Sequence, residues 1–215
     1  MSESELSESL PASEPVPQAL PAAVIDNRLF VLVLQHPQER REAWATAPVV
    51  IALLGRARLA AGLSWPNLAR ALGREADPRR WGVLYLGSAR PKAFGQGREV
   101  IVLGRDGEPL PDPAPILKRL DGIVLLDGSW KEAKTLWWRN PWLLKLHRLV
   151  VNPPAPARIG RLRREPRREA VSTLEAAALV LRHLEPGPEA AEALLAALDR
   201  LMAAAQLPGQ PAVNA

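Results

Sequence analysis

Hydrophobic residues in this chain fall into short continuous runs that end at polar or turn-forming residues. The first run, residues 29–34, is apolar throughout and stops at Gln35, His36 and Pro37, which is typical of a strand buried on both faces of a sheet. The same pattern predicts strands over residues 83–86, 99–103, 122–126 and 147–152. Stretches rich in alanine and leucine predict helices over residues 41–61, 67–72, 129–139, 171–183 and 189–206.

The alternation of buried-type strands with helices predicts an α/β fold, a single domain whose mainly parallel sheet is flanked by helices. Ligands of such sheets bind beyond the carboxyl ends of the strands. We therefore expect functional residues in the loops after the predicted strands, over residues 36–39, 87–91, 127–130 and 152–173.

The two ends of the chain differ in composition from its middle. Residues 1–23 are acidic and rich in serine and proline, which predicts a disordered tail, followed by a folded domain over 24–207 and a flexible tail over 208–215. No stretch has the basic start and apolar block of a secretory signal, and no apolar run is long enough to span a bilayer. We therefore expect a cytoplasmic protein that does not contact a membrane.

Cysteine and histidine content narrows the possible chemistry. The 215 residues include no cysteine, which excludes disulfides, thiolate zinc sites, iron–sulfur clusters and a cysteine nucleophile. The three histidines are far apart in the sequence, so no metal site is predicted. The glycine fingerprint of Rossmann dinucleotide sites and the phosphate-binding P-loop are also absent from the sequence.

The whole chain has a formal net charge of +5, and its positive charge is concentrated in one segment. Residues 158–168 carry six arginines against the single acid Glu165. Guanidinium groups match the geometry of phosphates, so this cluster favours a nucleic-acid partner over a merely solvated loop. The arginines that we expect to contact RNA are Arg161, Arg163, Arg164 and Arg167.

A carboxylate at the end of the fourth predicted strand is the first candidate for chemistry. Asp127 is followed by Gly128 and Ser129, and Glu132 comes three residues after Ser129, as in a helix capping box. Capping accounts for Ser129 and Glu132 but not for Asp127, and an aspartate at the mouth of a sheet is a common general base or ligand clamp. Trp130 either packs in the core or contacts a ligand, and the sequence favours neither role.

The start of the helix predicted over 171–183 is the second candidate. Ser172 and Glu175 form another capping box around Thr173, and a helix N-terminus favours a carboxylate or a phosphate. The arginine cluster immediately before this helix favours an RNA backbone or a cofactor carboxylate here. His36, just past the first strand, either contacts the substrate or forms the turn.

Three sequence blocks resemble those of the DTW-domain family, the tRNA-uridine aminocarboxypropyltransferases, and occur in the family's order. Residues 34–40 (LQHPQER) resemble its early HPxE block, and residues 125–133 (LLDGSWKEA) resemble its Asp-x-Thr-Trp signature, with Ser129 in place of the usual threonine. Residues 162–166 (LRREP) and 172–176 (STLEA) resemble its closing block. The cysteine cluster near the N-terminus of many members has no counterpart here.

The resemblance implies a SPOUT-like fold with a knotted C-terminal region that binds S-adenosyl-L-methionine. It also implies transfer of the 3-amino-3-carboxypropyl group of that cofactor to N3 of a uridine in tRNA, a transfer of an alkyl group other than methyl. Two alternatives stay open: a SPOUT-like RNA methyltransferase that uses the same cofactor, and a non-catalytic RNA-binding module.

The resemblance also assigns expected roles to the candidate residues. Asp127 is expected to act as a base or to orient the cofactor, and Trp130 to stack on a base or on adenine. His36 is expected to contact RNA together with the arginine cluster, in which Arg163 pairs with a phosphate or with the cofactor carboxylate. The residues expected to bind the cofactor are Asp127, Gly128, Ser129, Ser172, Thr173 and Glu175.

Overall fold

The computed structural model describes residues 24–42, 45–89, 94, 97–154 and 171–205. Within these ranges one sheet has the strand order β2-β1-β5-β3-β6-β4. Its strands are β1 (Phe30–Gln35), β2 (Ala57–Ala61), β3 (Trp81–Leu84), β4 (Val100–Leu103), β5 (Gly122–Asp127) and β6 (His147–Val151). The helices are α1 (Ala47–Leu53), α2 (Leu68–Leu72), α3 (Ala114–Lys118), α4 (Trp130–Arg139), α5 (Thr173–Leu184) and α6 (Glu189–Ala205).

The predicted α/β architecture with a mainly parallel sheet is confirmed. Strands β2, β1, β5, β3 and β6 run parallel to their neighbours, and only β4 pairs antiparallel, with β6. Parallel strands place their carboxyl ends at one edge of the sheet, so the polar residues that follow β1, β3, β5 and β6 gather at that edge.

Both faces of the sheet are covered, which explains why the strand sequences are continuously apolar. Val31 and Val33 of β1 pack into a core with α1, α5 and α6. Leu32 and Leu34, which point to the opposite face, pack with α2 and α4. All four side chains are fully buried, and each contributes about 1.5–3 kcal/mol by leaving water.

One predicted helix, over residues 41–61, is wrong in its second half. The structure has α1 in its middle, but Ala57–Ala61 is the strand β2, which pairs in parallel register with β1. The backbone after α1 turns to Ile25, which donates to the carbonyl of Leu53 at 2.8 Å and accepts from the amide of Gly55 at 2.8 Å. Pairing with neighbouring chain segments therefore overrides the helix propensity of this alanine- and leucine-rich stretch.

The remaining predicted helices are confirmed to within a few residues. Asn67 caps α2 at its start, and Gly73, with φ of +78°, ends it. The short helix α3 was not predicted. None of the helices in the described ranges combines the length and the apolar character that a bilayer crossing requires.

Candidate functional site

The end of β5 lies directly beside the end of β1. Gln35 and Asp127 are register partners on these parallel strands, so their side chains stand next to each other on the same face. The Gln35 amide donates a hydrogen bond from Nε2 to Oδ2 of Asp127 at 2.9 Å, and both side chains are buried. The backbone N–H of His36 donates to the carbonyl of Asp127 at 2.9 Å. The HPxE-like block and the Asp127 block are therefore neighbours in space.

The first residue of α5 reaches the same carboxylate. The Thr173 hydroxyl donates a hydrogen bond to Oδ1 of Asp127. Behind it, Ser172 accepts from the amide of Glu175 at 3.2 Å, while Oε2 of Glu175 accepts from the amide and the hydroxyl of Ser172 at 3.2 and 2.9 Å. The predicted capping box at this helix start is confirmed, and it fixes Thr173 against Asp127.

The turn between β5 and α4 is fixed by a second capping box, also confirmed. Oε2 of Glu132 accepts hydrogen bonds from the amide and the hydroxyl of Ser129, both at 2.7 Å. The other Glu132 oxygen, Oε1, lies 3.3 Å from Nδ1 of His36. Gly128 has φ of +151°, and a Cβ there would lie 2.8 Å from the Cβ of Glu132. Only glycine therefore lets the chain turn this tightly beside His36.

An aromatic cluster lies beyond the end of β3. The ring of Tyr85 stacks on that of Trp137 with centroids 4.4 Å apart, and its centroid is 6.3 Å from that of Trp130 at an interplanar angle of 13°. Burial raises the pKa of the Tyr85 phenol, so this side chain is neutral at physiological pH. Trp137 is partly buried against the core that contains α4. Trp137 therefore contributes to this core, while Trp130 belongs to the cluster at the sheet edge.

The carboxylate and the aromatic cluster lie on opposite faces of the same sheet edge. Asp127 shares its face with α5, whereas α4 packs on the other face through Leu136 and Trp137. Gly128 and Ser129 connect the two groups across the edge. A ligand that contacts both groups must therefore lie along the edge, beyond the ends of β1 and β5.

The residues named from the sequence divide into two groups in the structure. The edge of the sheet brings together His36, Asp127, Gly128, Ser129, Trp130, Ser172, Thr173 and Glu175. The predicted RNA-contacting arginines, Arg161, Arg163, Arg164 and Arg167, lie outside the described residues, so their roles stay predictions.

Three polar or aromatic residues of the site were not predicted. Gln35 is the last residue of β1, and its signal in the sequence is a polar side chain at the end of an apolar strand. Thr46 is buried and accepts from the amide of Leu174 at 3.3 Å, which holds the start of α5. Tyr85 is the only tyrosine of the chain and directly follows β3.

Two clefts, of about 420 and 360 Å³, lie at the opposite edge, around the start of β1. They contain none of the candidate functional residues. Arg28, which lines both, donates to the carbonyls of Leu120 and Leu184 and so ties the start of β1 to the end of α5. This contact is structural, and the carboxyl edge remains the candidate site.

The chain is similar over most of its length to two curated relatives. These are the tRNA-uridine aminocarboxypropyltransferase 2 of Macaca fascicularis and that of Mus musculus, each 27% identical over 188 residues, which cover 85% of this chain. The same residues cover 56% of each relative, so the chain spans about half the length of the curated relatives it matches. No solved structure matches it significantly. The model of the DTW domain matches residues 10–206, and the chain therefore belongs to the DTW-domain family.

Proposed function

We propose that this protein transfers the 3-amino-3-carboxypropyl group of S-adenosylmethionine to N3 of a uridine in tRNA. Family membership and the names of the two relatives support this activity. The observation that carries the proposal is the buried carboxylate of Asp127, which Gln35 and Thr173 hold at the carboxyl edge of the sheet. A parallel sheet offers its ligand site at this edge.

The residues at this edge fit the charges of S-adenosylmethionine. Asp127 provides negative charge for a sulfonium or an ammonium group, and the Thr173 hydroxyl can accept a hydrogen bond from an ammonium. The stacked rings of Tyr85 and Trp130 suit adenine. When bound, the cofactor would supply an electrophilic γ-carbon, to which N3 would bond with loss of its proton as the carbon–sulfur bond breaks and methylthioadenosine leaves.

The cofactor carboxylate is better matched to Arg163 than to the start of α5. At that helix start, the amide of Ser172 already donates to Glu175, that of Glu175 to Ser172, and that of Leu174 to Thr46. Few donors remain there for a further anion, and the Glu175 carboxylate already interacts with the positive end of the helix. We therefore assign the carboxylate to Arg163, which lies outside the described residues.

Asp127 is better suited to orientation than to proton removal. Each of its carboxylate oxygens accepts a hydrogen bond from a neighbouring side chain, and only 3% of the residue is exposed. A general base must come within hydrogen-bond distance of the proton that it takes. We therefore assign Asp127 to positioning the cofactor, and the N3 proton passes to a different acceptor.

The SPOUT-like knot and the cytoplasmic location remain parts of this proposal. The family resemblance implies a knot near the C-terminus, and residues 155–170, between β6 and α5, lie outside the described residues. The sheet with flanking helices is compatible with a SPOUT-like fold.

Product analysis tests the proposed function. The full chain is incubated with S-adenosylmethionine and an unmodified tRNA transcript, and nucleosides and small molecules are identified by mass spectrometry. Methylthioadenosine together with aminocarboxypropyl-uridine is the expected result. S-adenosylhomocysteine with a methylated nucleoside would establish the methyltransferase instead. Salt-sensitive RNA binding, with no product and no heat of S-adenosylmethionine binding, would establish a binding module.

A further inference from the structure

Two large hydrophobic side chains are exposed at and just after the end of α4, the helix that starts at the candidate site. Trp138, near the end of α4, is 70% exposed, and Leu144, in the 3₁₀ turn Pro141–Lys145 that follows, is 66% exposed. Among the described residues only Val24 is a comparable exposed hydrophobic residue. A tryptophan left in water on a well-packed helix indicates a contact surface.

Trp138 belongs to a strip of α4 that begins at the site. The strip starts at Trp130 and continues at intervals of four residues through Lys134 and Trp138. Lys131 lies beside these residues on an adjoining part of the helix surface. Lys131 and Lys134 are exposed. The helix rises about 12 Å from Trp130 to Trp138, enough to span about three stacked nucleotides, which rise about 10 Å.

The surface around this strip is cationic. Residues 128–145 contain Lys131, Lys134, Arg139 and Lys145 but only one acid, Glu132. The Glu132 carboxylate points to Ser129 and His36. In the described part of the chain no carboxylate lies within ion-pair distance of either lysine of the strip. Both lysines can therefore contact the phosphates of a partner.

We propose that Lys131, Lys134 and Trp138 form an RNA-docking strip for the nucleotides that flank the target uridine. Aromatic faces stack on unpaired bases, and lysines beside them neutralise phosphates, which is how single-stranded nucleic acids are bound. The core of an interface between protein chains is depleted in lysine, so a second copy of this chain fits the strip less well. That the docked nucleotides flank a target uridine rests on the proposed function. The affinity of the strip for RNA does not depend on it.

Equilibrium binding of the full chain to an unmodified tRNA transcript, measured over a range of salt concentrations, tests the strip. We expect Trp138→Ala to weaken the affinity about tenfold and Trp138→Phe to retain most of it, because phenylalanine still stacks. The double variant Lys131→Gln/Lys134→Gln should lower the slope of log affinity against log salt by about 0.7–0.9 per lysine. Lys118→Gln, an exposed lysine on α3, and Val24→Ala are matched controls that should bind like the wild type.

The outcomes separate the strip from the proposed function. Wild-type affinity and salt slope in the Trp138 and lysine variants would overturn the strip, even if the enzyme forms its product. Loss of tRNA affinity in those variants would support the strip, even if no aminocarboxypropyl product appears. If Trp138→Ala converts a dimer to a monomer in sedimentation without changing RNA affinity, the surface is a contact between chains and the proposal is wrong.

Discussion

The carboxylate of Asp127 accepts a hydrogen bond from the hydroxyl of Thr173, a residue 46 positions further along the chain. Gln35, 92 positions before Asp127, donates to the other carboxylate oxygen. These contacts join the end of β1, the end of β5 and the start of α5 into one cluster. Three family sequence blocks thus meet at a single buried carboxylate, and substitutions there test both the fold and the chemistry.

Asp127→Asn should reduce product formation by about a hundredfold or more while leaving the protein folded. The amide keeps the size of the side chain, but it removes the charge and leaves one acceptor oxygen for the two donors of Gln35 and Thr173. Displacement of a positioning group by about 1 Å can cost about a hundredfold in rate. Product formation is measured by mass spectrometry of tRNA nucleosides, and folding by circular dichroism.

Asp121→Asn is the matched control for this change. Asp121 directly precedes β5, at the opposite end from Asp127, and forms an ion pair with Arg80 at 2.5 Å in which both side chains are half-exposed. Exposed ion pairs contribute about 0–1 kcal/mol, so this variant should keep its activity and most of its stability. Near-wild-type activity of Asp127→Asn would remove Asp127 from the chemistry.

Thr173→Val should lower the free energy of unfolding by about 1–3 kcal/mol. Valine matches the shape of threonine but leaves an oxygen of the buried Asp127 carboxylate without its donor. Thr173→Ser should recover much of the loss because it restores the hydroxyl. Urea unfolding is the measurement, with Thr135→Val as control, since the Thr135 hydroxyl only contacts the carbonyl of Lys131 on an exposed surface. Equal losses in the two valine variants would contradict the role of the Asp127 contact.

The individual elements of this site could be predicted from the sequence because each has a local signal. Asp127 and Gly128 end an apolar run, which predicts a strand followed by a turn. The spacing of Ser172 and Glu175 predicts a helix start. The capping boxes seen in the structure confirm that such local signals are reliable where the interactions are local.

The relationships between the elements could not be predicted from local pattern. The pairing of Gln35 with Asp127 depends on β1 lying beside β5. The order of strands in a sheet cannot be predicted from hydrophobic periodicity. The alanine-rich sequence of β2 carries no strand signal and predicts helix, because its strand conformation comes from pairing with β1. The stacking of Tyr85 on Trp137 has no local signal, because the two residues are 52 positions apart in the sequence.

Gly128→Ala should destabilise the protein and disturb the contact between His36 and Glu132. A Cβ at Gly128 would lie 2.8 Å from the Cβ of Glu132, and φ of +151° is strained for alanine. Strain of this kind costs about 1–3 kcal/mol before the collision is added. Gly97→Ala is the control, because Gly97 also has positive φ, +65°, but nothing lies within 4 Å of its added Cβ. Thermal unfolding should show the larger loss at Gly128, and a larger loss at Gly97 would contradict the predicted collision.

Tyr85 should make stability depend on pH in the alkaline range. Burial raises the pKa of Tyr85 above its ordinary value of 10.0, so the folded protein binds the phenol proton more tightly than the unfolded chain does. The resulting stabilisation is fully present below the unfolded pKa and is lost as pH rises through the folded pKa. Because the chain has one tyrosine, tyrosinate absorbance reports this group alone, and its midpoint in the folded protein should lie above 10.0. Tyr85→Phe should remove the absorbance change and flatten the alkaline loss of stability. A tyrosinate midpoint at or below 10.0 in the folded wild-type protein would show that the ring is accessible to water and not held in the stack with Trp137.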